Sequence, residues 1–215
     1  MELIHYSTLL TVILACVWIY YEQKKNVDFP AIETKKGKYY FRLMPVALVA
    51  MLCYVIWHNK ELSLFTLWKE GLVLALVWMI AYVDYKVQLI PNRYLLVALL
   101  ARGILFLAEL INGPAQAGIG ILSELLGGAI LLAFCFLLRI LSRKGLGMGD
   151  VKLFAILPLF LGFWGGFRAL IYAMIIIFIQ SVLCLITKKK GKNDVIAFGP
   201  AIAGGVWIAV FISGL

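Results

Sequence analysis

Eight long apolar stretches recur along the chain, at about 3–20, 43–58, 68–85, 92–110, 119–141, 150–164, 167–187 and 197–213. A helix needs roughly 20 mostly apolar residues to cross the hydrocarbon layer, so this repetition predicts an all-α polytopic membrane protein of about eight transmembrane helices. With 64% of 215 residues hydrophobic, a water-soluble globule is excluded. The residues left for connections also exclude a large extramembrane domain. The sixth stretch holds Pro158 and is followed by Gly165-Gly166, a tight reversal into the seventh. Its fifteen or so residues reach only about 22 Å at the helical rise, so it is expected to be wedged among other helices. The division expected is 1–67, two N-terminal transmembrane helices with a short basic linker, and 68–215, a six-helix core.

The chain carries 20 Lys+Arg against 11 Asp+Glu, a surplus that topology accounts for. If the polar linker at 22–42 is cytoplasmic, sixteen of the 20 basic residues fall on that side. Only Lys60, Lys69 and Arg168 fall on the other, and Arg102 lies within the fourth stretch. Positive residues collect on the cytoplasmic side of membrane proteins, so both termini are expected outside and nucleic acid is not an expected partner. Leu3 to Tyr20 has no basic lead, so it reads as a retained helix and not a signal peptide. Cys16, Cys53, Cys135 and Cys184 all sit in apolar runs without C-x-x-C spacing and are expected as filler, so no metal and no cofactor is expected.

Of the eleven carboxylates, Glu22, Asp28, Glu33, Glu61, Glu70, Glu109 and Asp194 are expected at solvated positions. Asp84 and Asp150 stand apart. The first closes the apolar run Leu72 to Val83, and the second follows Gly145-Leu146-Gly147-Met148-Gly149 and opens the sixth span. The charge count puts both at the cytoplasmic side. Two carboxyl groups in one low-dielectric site repel, so one keeps its proton while the other is ionised. Such a pair is an acid beside a base, able to activate a water against a peptide carbonyl and to protonate the leaving amine. The glycine run lets backbone approach closely, and irregular backbone at membrane depth is tolerated where it lines a watery cavity. Pro91 is suited to start the fourth helix.

The segments Asp84-Tyr-Lys-Val-Gln-Leu-Ile90-Pro91-Asn92 and Gly147-Met148-Gly149-Asp150-Val151-Lys152-Leu153 together resemble the paired signature of type IV prepilin peptidases, the GxGD aspartic proteases. A third segment, Ala197-Phe198-Gly199-Pro200-Ala201, resembles that family's Phe-Gly-Pro turn. The resemblance covers about residues 70 to 213. It implies a GxGD aspartic protease-like helical bundle in the inner membrane, cleaving a short basic leader from prepilin-like membrane protein substrates at the cytoplasmic face. It also implies catalytic roles for Asp84 and Asp150. Gly147, Gly149, Lys152, Pro91, Asn92 and Pro200 are the candidates for holding substrate. Many bacterial members also methylate the new N-terminus through an insertion marked by paired C-x-x-C motifs. Residues 22–42 contain no cysteine, so a peptidase without that module is expected.

Plainer readings stand beside these. Lys152 serves either to anchor the span end by snorkelling or to position the substrate or the aspartates. Pro91 and Asn92 are equally compatible with helix-start punctuation. Arg102 falls near mid-membrane, where it needs a partner, with Glu109 or Glu124 in reach as a structural ion pair. Gly118, Gly120, Gly127 and Gly128 are expected to allow close helix packing. Two rival functions fit parts of the pattern: a presenilin or signal-peptide-peptidase type of GxGD protease, and a transporter using the aspartates as an ion relay.

Overall fold

The computed structural model describes residues 63–142, 145–187 and 196–213, with isolated helical positions between 43 and 54. The expected first span and basic linker lie outside the described residues. Among the described residues the secondary structure is helical: α1 (Leu64–Val87), α2 (Asn92–Asn112), α3 (Pro114–Leu141), α4 (Met148–Ile186) and α5 (Gly199–Ser213). The first four are long and apolar enough to cross a membrane.

Local chemistry sets the ends. α1 starts four residues before its expected bound because Ser63 caps it, its hydroxyl accepting from the Thr66 amide at 3.2 Å. It stops where Gln88 turns left-handed at φ 54° and donates its amide to the Asp84 carbonyl at 2.8 Å. Pro91 then precedes α2, and Pro114 occupies the first turn of α3, where its missing N–H costs nothing.

α1 is apolar nearly all round, with Val73 to Val77 fully enclosed, and α5 is similarly buried through Ala201, Ile202, Val206 and Val210. A helix apolar on every side is a core helix. By contrast, α2 buries only the stripe Leu95, Ala98, Arg102 and Leu105, while Leu96, Leu100, Ile104 and Ile111 face outward. α3 likewise buries a narrow line through Glu124, Gly127, Gly128, Leu131 and Cys135. The outward leucines and isoleucines form the surface expected against lipid. Tyr54 stacks on Phe211 with ring centroids 4.4 Å apart, docking the helical positions near 50 onto α5.

The 39 residues of α4 would extend about 58 Å as a straight helix, nearly twice the roughly 30 Å hydrocarbon layer. They do not run straight. Gly162 leaves the helix at φ 69°, ψ 172°, and beyond it the chain folds back. A Cβ at Gly166 would lie 2.8 Å from Cγ of Pro158, although these positions would be about 12 Å apart in a continuous helix. The reversal between the sixth and seventh spans is therefore real, but it lies at Gly162 and not at Gly165-Gly166. A positive φ is what the turn needs, and Gly162 supplies it. Gly165 and Gly166 stay helical and give room for close contact with Leu161 and Pro158.

Other small residues act similarly. A Cβ at Gly205 of α5 would come 2.5 Å from the Ala169 carbonyl, so α5 and the second arm of α4 meet backbone to backbone. On α3, Gly127 and Gly128 sit against Phe163 and the Ala155 carbonyl, as expected for packing glycines. Gly118 and Gly120 face open space instead, because α4 lies beyond their reach near the start of α3.

Candidate active site

Asp84 lies in the last turn of α1 and is 6% exposed. Its Oδ2 accepts the Gly199 amide at 2.7 Å. That amide begins α5, so the carboxyl group occupies the anion-binding end of a helix. The approach depends on glycine: a Cβ at position 199 would lie 2.7 Å from the Asp84 Cβ.

Asp150 lies in the first turn of α4, where its Oδ2 accepts the Gly147 amide at 3.2 Å. This carboxylate-to-cap bond is half of a capping box. It too depends on a missing side chain, since a Cβ at Gly147 would come 2.6 Å from that Oδ2. Arg139, in the last turn of α3, donates to the Leu146 carbonyl and so ties down the glycine loop. Its charge also attracts Asp150.

Two contacts join the segments after Asp84 and around Asp150. Ile90 is buried and packs on Gly149, where an added Cβ would lie 2.9 Å from the Ile90 Cβ. Lys152 donates to the Asn92 side-chain oxygen at 3.1 Å. The two aspartates line one cavity of about 620 Å³. Oδ2 of each is held by a backbone amide.

Gly147 lines this cavity, but Gly149, Lys152, Pro91, Asn92 and Pro200 do not. Gly149 makes room for Ile90, Lys152 and Asn92 bond to each other, and Pro200 sits in the first turn of α5. The wall includes Gln88, whose role the first motif does not single out, and residues that no motif marks: Ser142, Leu170, Met174 and Ile177. The positive φ at Gln88 is invisible in sequence, and Met174 and Ile177 arrive only through the fold-back at Gly162. Among the described residues no group of three or more His, Cys, Asp or Glu could hold a metal ion.

Because the Lys152–Asn92 bond is exposed and joins two segments, Lys152→Ala and Asn92→Ala are each expected to destabilise the purified protein by about 0.5–1 kcal/mol. The double variant is then no worse than either single one, which a double-mutant cycle on thermal unfolding checks.

At the other end of α1, two residues expected in solvent are instead enclosed. Glu70 is 6% exposed, and Glu109 is largely buried in an ion cluster with Lys69, Arg102 and Glu124. Arg102 thus takes both carboxylates in its reach as partners.

The model of the type IV leader peptidase family matches residues 71–187, more than half of the 215-residue chain. The chain is 30% identical over 136 residues to the prepilin leader peptidase/N-methyltransferase of Bacillus subtilis, covering 63% of this chain and 52% of that protein. For the protein of the same name in Pseudomonas aeruginosa the identity is 29% over 185 residues, covering 81% and 58%. In Neisseria gonorrhoeae it is 32% over 143 residues, covering 64% and 46%. The chain spans about half the length of these curated relatives. No solved structure matches it.

Proposed function

Because the chain belongs to the type IV leader peptidase family, we propose that it is a membrane aspartic endopeptidase removing short basic leaders from prepilin-like precursors. The observation that carries this reading is the cavity shared by Asp84 and Asp150, with the glycine loop at its edge. One carboxyl group is ionised and takes a proton from a bound water as that water attacks the scissile carbonyl. The other holds the shared proton, donates it to the carbonyl oxygen, and a proton then passes to the leaving amine. The glycine loop accepts the extended substrate backbone.

Lys86, Arg93, Arg139 and Lys152 all belong to the helix ends around this cavity, while Lys69 and Arg168 belong to the far end. That asymmetry supports a cytoplasmic cavity in the inner membrane, the side on which a basic leader remains while the following apolar helix enters the bilayer. Residues 68–215 form the peptidase core in this reading.

The relatives are named as both peptidases and N-methyltransferases. For this chain we propose peptidase activity alone, since residues 22–42 hold no cysteine for the paired C-x-x-C module. Co-expression with a prepilin-like substrate, followed by intact-mass measurement, tests both parts. The expected product lacks the leader and carries a free, unmethylated amine. An intact precursor refutes the peptidase, and an added methyl group refutes the restriction.

A further inference from the structure

Resting on the peptidase reading, we propose that Arg102 is a positioning residue. By gripping the turn end of α4, it sets where the other end of that arm places Asp150 relative to Asp84.

Four charges on three helices close a ring. Lys69 of α1 lies 3.2 Å from Glu109 and 2.9 Å from Glu124, and Arg102 Nη2 bonds the second oxygen of each, at 3.0 Å for Glu109. The ring is neutral, two cations against two carboxylates, which lowers the cost of burying it. Its halves differ. A cavity of about 280 Å³ reaches Lys69, Glu109 and Glu124, whereas Arg102 is 3% exposed and does not line it.

Arg102 Nε reaches Glu124 Oε2 at 3.1 Å and, in a shorter bond that ring closure does not need, donates to the Leu159 carbonyl at 2.6 Å. Leu159 lies in the last turn before the break at Gly162, where helix carbonyls lose their intrahelical partners. A guanidinium there caps the end of the first arm and meets its negative dipole end. Independently, α3 presses on the same stretch: a Cβ at Gly128 would lie 2.8 Å from the Ala155 carbonyl. The stretch from Ala155 to Leu159 is thus gripped by α2 and α3 together, and Asp150 lies on the same rigid arm, about 13 Å away. A slip of one residue at the grip moves Asp150 by about 1.5 Å and turns it by about 100°. Such a shift is large for aligned reacting groups.

Removing Arg102 alone leaves two carboxylates to share Lys69, so the decisive variant is Arg102→Met with Glu124→Met, which keeps the neutral Lys69–Glu109 pair. Arg102→Lys retains the charge and loses the planar fork. Lys69→Met removes the water-facing half. Position is read without catalysis: with the four native cysteines replaced by alanine, Asp84→Cys and Asp150→Cys are joined by a short bis-thiosulfonate linker. The Arg102→Met/Glu124→Met pair is expected to slow this cross-link at least tenfold, with Arg102→Lys intermediate and Lys69→Met within twofold. In the otherwise native enzyme the same pair lowers kcat at least tenfold with KM within threefold. Cross-linking and kcat both within twofold, with only thermal stability reduced, overturn the inference. If the wild type cleaves no prepilin-like protein, the functional reading fails, and the cross-link still decides the position of Asp150.

Discussion

Asp84→Asn and Asp150→Asn are each expected to cut leader removal by about 10³-fold or more, while the protein still inserts and still binds substrate within a few-fold of wild type. An amide matches a carboxyl group in size, and Asn keeps an oxygen able to accept the Gly199 or Gly147 amide now bonded to Oδ2. What it loses is the ability to exchange a proton. In a dyad that shares one proton, either substitution removes the acid–base pair as a unit, so the losses are strongly non-additive. The double variant should be no slower than the worse single one. A 10³-fold loss is about 4 kcal/mol of barrier. Single-turnover cleavage in detergent or proteoliposomes, with binding measured separately, checks the result. Retention of a tenth of wild-type kcat by either variant would remove that aspartate from the chemistry.

Gly199→Ala is expected to lower kcat about 10²-fold with little change in KM. The added methyl would stand 2.7 Å from the Asp84 Cβ and 2.9 Å from its Oδ2, well inside contact distance. Neither backbone is free to retreat. α5 is pressed onto the second arm of α4 at Gly205, and α1 is enclosed on every side around Val77 and Ile80. The Asp84 carboxyl group must therefore turn away from the amide that holds it, and misplacement of about 1 Å at a reacting group costs about this much. Gly204→Ala is the matched control on the same helix. Its methyl would meet only the terminal Cδ1 of Ile176 at 2.9 Å, which can rotate aside, so kcat should stay within threefold. Parallel kinetics of the two alanine variants decide the matter.

Much of the core was legible because membrane spans and turn residues are local signals. The expected bounds 92–110 and 197–213 fall within two residues of α2 and α5 at each end. The two aspartates were legible because each sits where an apolar run meets a glycine- or proline-marked turn. The exact reversal in α4 was not, since three glycines lie within five positions and only tertiary packing selects which one takes the positive φ. Lys69 enters the sequence reading only as one of three outer-side charges, and its neutralisation by Glu109 and Glu124 depends on helix neighbours 40 and 55 residues away. The cavity wall was the least readable part. Met174 and Ile177 look like any other lipid-facing residues until the fold-back carries them beside Asp150.

The bond between Asp84 and Gly199 spans 115 residues of chain. Ribosomes deliver those residues in order, so both acids are synthesised before the amide that seats the first of them. Packing of α5 is thus the step that seats Asp84, and a chain halted before it leaves that carboxyl group without its anchor.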